Sequence, residues 1–327
     1  MTPTDISRPS LPRITLIDTA RGLALVAMAS YHFTWDLEFF GYLEPGTATQ
    51  GWWRFYARAI ASSFLFLAGI SLVLAHYPSI RWQAFWKRLA IVAGAAAAIS
   101  IATFIAIPGE WIHFGILHGI AAGSLVGIAF LRLPPAITVA TAALIVALMV
   151  IDTWIMPGGL RSHLLDPRYL NWTGLAATPP RSNDFVPLVP WVAAVLAGVA
   201  FARLAMARQW LLPLSRLQTR PNLLSRAGRH SLLIYLVHQP ILIALVYLFS
   251  LVHPAPQTDP RQTYLLGCER GCTGEDNEAG LCARFCACTA EGLAAQSLIE
   301  PVLAGTVNPQ TDGRVLAIAQ ECSMRSQ

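Results

Sequence analysis

Residues 17–22 read Ile-Asp-Thr-Ala-Arg-Gly, and the apolar segment that they open ends at residues 31–36 with Tyr-His-Phe-Thr-Trp-Asp. Arg21 and His32 are therefore predicted to lie in one membrane helix. Because they are eleven positions apart, their side chains differ by only about 20° around the helix axis and lie roughly 16 Å apart along it. An ionisable group that faces lipid costs at least ~2.5 kcal/mol, so this face is expected to line a cavity or to meet an internal partner. We predict that it carries the functional site.

The rest of the sequence has the composition of a membrane protein. Apolar residues make up 55% of the 327 and charged residues only 13%, whereas soluble domains carry about 25% charged residues. Apolar stretches near the ~20 residues that a bilayer requires, several of them ended by prolines, predict about seven membrane helices. These segments are 15–40, 53–76, 87–107, 112–131, 135–156, 186–206 and 229–252. The predicted fold is an all-α polytopic membrane helix bundle with a small, helical, disulfide-rich C-terminal tail.

The positions of lysine and arginine predict the orientation of this bundle. The N-terminus and the turns after the second, fourth and sixth segments are rich in these cations, and the opposite turns are poorer. By the positive-inside rule residues 1–14 are cytoplasmic, and seven spans then place residues 253–327 outside. We expect a transmembrane domain at 15–252 in a bacterial inner membrane, with a periplasmic tail. A cleaved signal peptide is disfavoured by the length of the first segment and its early charges.

All six cysteines follow the last predicted span, at Cys268, Cys272, Cys282, Cys286, Cys288 and Cys322. The first four form two pairs, each spaced so that it shares one face of a short helix. A turn between these helices brings Cys272 to Cys282 and Cys268 to Cys286 and leaves Cys288 for Cys322, although six cysteines allow fifteen pairings. A zinc site is the alternative, but the spacing lacks a CxxC pair and an accompanying histidine. An even number in a small tail favours disulfides and an oxidising compartment.

Four further motifs lie beyond the first segment. They are Ser-Phe-Leu-Phe-Leu-Ala-Gly-Ile-Ser at 63–71, Phe-Gly-Ile-Leu-His at 114–118, Asp-Phe-Val-Pro-Leu-Val-Pro-Trp at 184–191 and Gly-Arg-His-Ser-Leu-Leu-Ile-Tyr-Leu-Val-His-Gln-Pro at 228–240. Together with Ile-Asp-x-x-Arg-Gly-x-Ala-Leu and the histidine eleven residues after its arginine, they resemble the transmembrane acyltransferase superfamily. Within it the chain is most similar to bacterial proteins related to heparan-alpha-glucosaminide N-acetyltransferase, the DUF1624 group. The resemblance extends over residues 14–252.

The resemblance implies a membrane acyltransferase. Such an enzyme moves an acyl group, commonly acetyl from coenzyme A, to a sugar or glycan hydroxyl or amine at the outer side of the membrane. His32 corresponds to the candidate catalytic histidine of the acyltransferase-3 branch. The chain departs from the family pattern in one respect. The lysosomal member of the family has its active histidine between the first and second spans, whereas the corresponding loop here, 39–53, contains no histidine. The implied partners are a lipid bilayer and a glycan or amino-sugar acceptor, and nucleic acid is not implied.

The chemistry of the Arg21 and His32 face agrees with this implication. Arg21 lies near the cytoplasmic end, where its guanidinium can hold the phosphates of acetyl-CoA. His32 can take a proton from the acceptor or accept the acyl group itself, with Asp36 one turn later fixing the tautomer of the imidazole. The ~16 Å between the two residues is comparable with the reach of a pantetheine arm. The structural alternative pairs Arg21 with Asp18 and makes His32 a packing residue.

Other polar residues are candidates for the same cavity, namely His118, Tyr235, His238 and Gln239. Each histidine either faces the cavity or joins helices, while Tyr235 and Gln239 can donate hydrogen bonds to the acceptor or to a thioester carbonyl. No metal site is expected, since the sequence lacks a zinc-protease helix. A transporter or flippase is the alternative from another class, although the spans show no inverted repeat. A third interpretation is a non-catalytic membrane protein that uses the tail for docking. The sequence leaves the oligomeric state open.

Overall fold

The structure is a computed structural model that describes residues 14–217, 220–256, 259–274 and 277–326. The predicted cytoplasmic N-terminus, with Arg8 and Arg13, lies outside the described residues except for Ile14. Within the described ranges the chain forms helices and no strand. The all-α fold class is therefore confirmed.

The helices that precede the tail agree closely with the apolar segments of the sequence. They are α1 (Thr15–Phe39), α2 (Gly51–His76), α3 (Trp82–Ala106), α4 (Ile116–Phe130), α5 (Pro135–Val150), α6 (Leu188–Ala207), α7 (Leu211–Leu217), α8 (Leu223–Arg229) and α9 (Ser231–Val252). Pro135 begins α5, where the missing N–H of proline costs nothing. Asn222 caps α8 by accepting the Ser225 N–H at 2.7 Å. A π-helical turn, Ile151–Ile155, continues α5.

Each of the seven predicted spans coincides, within a few residues at its ends, with one of the long helices or with α4. Five are long and apolar enough to cross a bilayer, namely α2, α3, α5 with its π-turn, α6 and α9. The chain is thus a multi-pass membrane protein. By contrast, α4 has only 15 residues, or about 22 Å of helix, and the polar side chains of α1 lower its hydropathy. The count of seven spans therefore stays a prediction.

The described chain divides into two compact units. The first contains the start of α1 up to Val26, together with Ala61–Ile101 and Ile112–Leu236. The second contains Ala27–Ile60, Ala102–Trp111 and the chain from Val237 onward. Four long helices, α1, α2, α3 and α9, contribute to both units.

In the first unit, α6 is extensively buried. It packs against α4 and α5, and its Val195, Leu196 and Val199 are buried. The backbone of α6 also touches that of α2, since a Cβ on Gly198 or Gly69 would collide with the backbone of the facing helix. Small residues that let backbones approach are a usual means of helix association in a bilayer.

The first turns of α1 pack equally closely against α8. Gly22 lies against the Leu224 carbonyl and Gly228 against the Asp18 carbonyl, and neither position has room for a Cβ. The glycine that follows Arg21 in the opening motif is therefore required for helix packing.

The second unit contains the C-terminal tail. The tail forms four helices, α10 (Pro260–Thr273), α11 (Ala279–Ala295), α12 (Ile299–Leu303) and α13 (Gly313–Ser326). Leu293, Leu298, Val315 and Ile318 form the centre of its small hydrophobic core. A core of this size gives little stability by itself, so covalent links are expected to matter here.

Three disulfides link the helices of the tail. Cys268–Cys286 and Cys272–Cys282 join α10 to α11, and Cys288–Cys322 joins α11 to α13. The predicted pairing is confirmed, because two antiparallel helices with cysteines four residues apart bring the inner and the outer cysteines face to face. The zinc alternative is excluded, since all six sulfur atoms are in disulfides.

Within the second unit, the loop after α1 is held by hydrogen bonds to α1 and to α10. Glu38, near the end of α1, accepts hydrogen bonds from the N–H groups of Gly46 at 2.6 Å and Ala48 at 2.7 Å. Arg270 of α10 donates to the Pro45 carbonyl at 2.7 Å. The tail thus holds the loop that follows α1.

The contact between α1 and α8 leads to a prediction about stability. Gly22→Ala should destabilise the protein by about 3 kcal/mol, because overpacking two backbones cannot be relieved by a change of rotamer. Gly94→Ala is the matched control, since Gly94 is also helical and has nothing within 4 Å of a Cβ, and alanine favours a helix by up to ~1 kcal/mol. The measurement is the unfolding temperature of the purified variants in detergent. Equal unfolding temperatures would contradict the packing.

The tail gives a prediction about redox state. Denatured but unreduced protein should react with no maleimide, and protein reduced before labelling should take up six, one for each cysteine. Mass spectrometry of the intact chain measures both numbers. Labelling of the unreduced chain would show that the native protein lacks one or more of these disulfides.

Candidate active site

A cavity of about 480 Å³ lies within the first unit. Its walls come from α1, α2, α3, α4, α8 and α9. Four cationic side chains line it, namely Arg21, Lys87, Arg88 and Arg229, and its described lining includes no carboxylate. Such a surplus of positive charge suits an anionic ligand.

Asp18 holds two of these cations at the wall of the cavity. Its carboxylate is 4% exposed and lies 2.9 Å from Arg21 Nη1 and 3.7 Å from Arg229 Nε. Arg21 also donates to the hydroxyl of Ser71 on α2. Arg21 is thus paired with Asp18 and accessible from the cavity at the same time, since its side chain remains 25% exposed.

The cavity is cationic at one end and apolar at the other. Ser71, which accepts a hydrogen bond from Arg21, and Phe64 both line it, and their separation of seven positions along α2 corresponds to about 10 Å. Phe64, Ile116 and Tyr235 belong to one apolar cluster. This gradient suits a ligand with an anionic head and an uncharged arm.

A hydrogen-bonded pair, Tyr235 and Asp184, lies at the apolar end. The Tyr235 hydroxyl donates to the Asp184 carboxylate, which also accepts the N–H of Ile116 at 2.9 Å. Loss of solvent raises the pKa of Asp184 to about 6, although both hydrogen bonds oppose the rise.

Three of the sequence motifs meet at Asp184. Gly115 leaves room for the carboxylate, which a Cβ at this position would strike. Next to it, the Val186 N–H donates to the Phe114 carbonyl at 3.0 Å. The motifs joined here are 114–118, 184–191 and 228–240. These motifs are far apart in the sequence but contact one another in the structure.

The second unit contains another group of polar residues, on α1 and α9. The rings of His32 and His238 meet edge to face with their centroids 5.0 Å apart. Asp36 is fully buried, and its Oδ1 accepts a 2.6 Å hydrogen bond from Gln239 Nε2. Its Oδ2 has no hydrogen-bond partner among the described residues. Gln239, and not His32 as expected, is thus the partner of Asp36, because that carboxylate bonds across to α9.

This second group has the chemistry of proton transfer. A neutral imidazole accepts a proton or an acyl group, and the ring of His32 meets that of His238 in this group. Four residues expected at the site, His32, Asp36, His238 and Gln239, are brought together here.

His118, in the first unit, has a structural environment. Its Nδ1 accepts the N–H of Gly115 at 3.2 Å, and its Nε2 lies 3.3 Å from the hydroxyl of Ser100 on α3. The Nδ1 contact thus caps the start of α4, and the Nε2 contact joins this end of α4 to α3. Of the two roles that the sequence leaves open for His118, this geometry favours the structural one.

Sequence reasoning overlooked three of the cations in the cavity. Lys87 and Arg88 counted only as flanking charges because the predicted span began at residue 87, five residues after α3 actually starts at Trp82. Arg229 likewise counted as a cytoplasmic flank. The signal that could have found Lys87 and Arg88 is their place in the second turn of a helix that is otherwise apolar. Among the described residues no group of three or more His, Cys, Asp or Glu could hold a metal ion.

Comparison with known proteins assigns the family. The family described as "Heparan-alpha-glucosaminide N-acetyltransferase, catalytic" matches residues 13–240, well over half of the chain. No curated protein and no solved structure matches the sequence of this chain. The match includes α1 to α8 and the start of α9, and with them both groups of polar residues. The chain therefore belongs to the heparan-alpha-glucosaminide N-acetyltransferase catalytic family of membrane acyltransferases.

Proposed function

We propose that the protein transfers an acetyl group from acetyl-CoA to a sugar or glycan hydroxyl or amine on the outer side of the membrane. The observation that carries this proposal is the cavity of the first unit, with its four cations and its apolar far end. The family match supports the reaction class.

The donor suits the two ends of this cavity. Coenzyme A has a nucleotide head with several phosphates and an uncharged pantetheine arm that ends in the thiol. Arg21 and Arg229 offer planar donor forks to the phosphates, and Lys87 and Arg88 add charge. The arm would lie along the apolar wall toward Tyr235.

His32 is the proposed catalytic residue, by one of two routes. As a general base, it takes the proton of the acceptor O–H or N–H while the acceptor atom bonds to the acetyl carbonyl carbon. The carbon–sulfur bond then breaks, and the imidazolium returns the proton to the departing thiolate. As an acyl carrier, an imidazole nitrogen displaces the thiolate first. The acceptor atom then bonds to the acetyl carbon as the carbon–nitrogen bond to the imidazole breaks, and the acceptor's proton passes to the thiolate. His238 and the Asp36–Gln239 pair would orient the ring.

The proposed location is a bacterial inner membrane, with residues 1–14 cytoplasmic, 15–252 as the transmembrane domain and 253–327 as a periplasmic tail. The distribution of cations supports this orientation. The three disulfides support an oxidising compartment for the tail. Acceptor acetylation would then take place on the same side as the tail.

Donor binding tests the cavity. Arg21→Lys should weaken coenzyme A binding by about 10-fold, because a point charge replaces a bidentate fork. Arg208→Lys is the control, since Arg208 is exposed at the end of α6. Titration of each purified variant in detergent by calorimetry gives the affinities. Equal affinity in Arg21→Lys and the native protein would refute the assignment of Arg21.

Transfer activity tests His32. His32→Ala should abolish acetylation of an external acceptor by membranes that contain the variant, while coenzyme A still binds. His253→Ala, an exposed histidine of the same unit, should keep native activity. Native activity in His32→Ala would move the catalytic assignment to His238. Loss of the folded protein would instead favour a packing role for His32.

A further inference from the structure

The hydrogen-bonded pair of Asp36 on α1 and Gln239 on α9 contains two buried oxygen atoms that lack a donor. Asp36 is fully buried, and its Oδ1 accepts from Gln239 Nε2 at 2.6 Å. Asp36 Oδ2 and Gln239 Oε1 are also buried, and neither has a hydrogen-bond partner among the described residues. A buried acceptor without a hydrogen is strongly disfavoured, so the pair as drawn is short of a proton.

Asp36 also lacks a cationic partner. Asp18, on the same helix, pairs with two arginines, whereas Asp36 forms no ion pair with any of the described residues. The titratable groups nearest to it in the two helices are His32, one turn earlier on α1, and His238, which precedes Gln239 on α9. An unpaired carboxylate inside a membrane helix is costly, and a proton removes that cost by neutralising the charge.

We propose that Asp36 holds a proton on Oδ2 and donates this O–H to Gln239 Oε1, so that a neutral acid–amide pair joins α1 to α9 beside the rings of His32 and His238. One hydrogen then satisfies both oxygen atoms that lack a donor, while Gln239 Nε2 continues to donate to Oδ1. Asp36 is a positioning residue in this arrangement, because it acts on His32 through the contact between the two helices and not through a charge.

The neutral state matters for the chemistry of His32, and this part of the inference rests on the proposed function. A general base or an acyl carrier must present an imidazole nitrogen without a proton. A carboxylate anion nearby favours the imidazolium, in which both nitrogens are donors. A neutral acid at Asp36 does not have this effect, so it leaves His32 in the form that the proposed reaction needs.

Two variants distinguish a neutral acid from an anion at this position. Asp36→Asn has the shape of the protonated side chain, and its amide both donates to Gln239 Oε1 and accepts from Gln239 Nε2. Asp36→Leu is apolar and leaves the Gln239 amide without either bond. Glu300→Gln is the control, since it removes an exposed carboxyl group of the same unit.

Infrared absorption of the purified full-length protein in detergent at neutral pH detects the proton itself. A protonated carboxyl group has a carbonyl band above the amide bands, and this band shifts in heavy water. We expect the native protein and Glu300→Gln to show the band with equal intensity and Asp36→Asn to lose part of it. If Asp36→Asn instead loses intensity from the carboxylate bands and keeps the carbonyl band, Asp36 is an anion and the proposal is overturned.

The pH dependence of stability gives a second measurement. An aspartate in an unfolded chain titrates near pH ~4, so at neutral pH unfolding would release the proton of Asp36. The native protein should therefore lose stability relative to Asp36→Asn as the pH rises above ~4, by up to about 10-fold in the folding equilibrium constant per pH unit. The difference in unfolding temperature between the two proteins is measured across this range. A difference that is constant, or that favours the native protein at higher pH, contradicts a neutral Asp36.

Acetyl transfer by membranes tests the positioning role. Asp36→Asn should keep at least ~10-fold more activity than Asp36→Leu, because it retains both hydrogen bonds, and folding of Asp36→Asn alone would show the same rescue. A carboxylate that supports a histidine as an anion loses ~10⁴-fold on change to Asn, so a loss of that size in folded Asp36→Asn would overturn the proposal. If native membranes transfer no acetyl group, the proposed function fails, while the infrared band still decides whether Asp36 holds a proton.

Discussion

The cavity of the first unit depends on the ion pairs that the Asp18 carboxylate makes with two guanidinium groups. A carboxylate that is 4% exposed is costly unless it is paired, and Arg21 and Arg229 supply the partners from two different helices. The backbone contact at Gly22 and Gly228 brings these helices close enough for the pairing. Helix packing and the positive charge of the cavity thus have one origin.

Features that follow from local periodicity could be predicted from the sequence. The helix that carries Arg21 and His32 follows from its apolar run, and the pairing of the tail cysteines follows from their i, i+4 spacing on two short helices. In both cases the decisive neighbours lie within a few turns of each other, or on two helices joined by a short turn. The geometry then leaves few alternatives.

Features that depend on contacts between distant segments could not be predicted. Asp184 is 51 residues from Tyr235 by the numbering, and nothing in either motif states that they are hydrogen-bonded. Asp36 gave a misleading signal, because its position one turn after His32 suggests an intrahelical partner, whereas the carboxylate bonds to Gln239 of α9. For His118 the sequence leaves two roles open, and only the contacts that join α3 to α4 favour the structural one. Tertiary packing decides each of these cases.

The link between Arg270 and Pro45 has a consequence for the maturation of the protein. Arg270 belongs to α10, and two disulfides fix α10 to α11. Before those bonds form, the arginine is carried by a helix that is not covalently joined to its neighbour, and the loop that follows α1 has a weaker hold on this side. We therefore expect oxidation of the tail to help order the loop that follows α1. A chain kept in a reducing environment would lack this support for the loop even if all its membrane helices had inserted correctly.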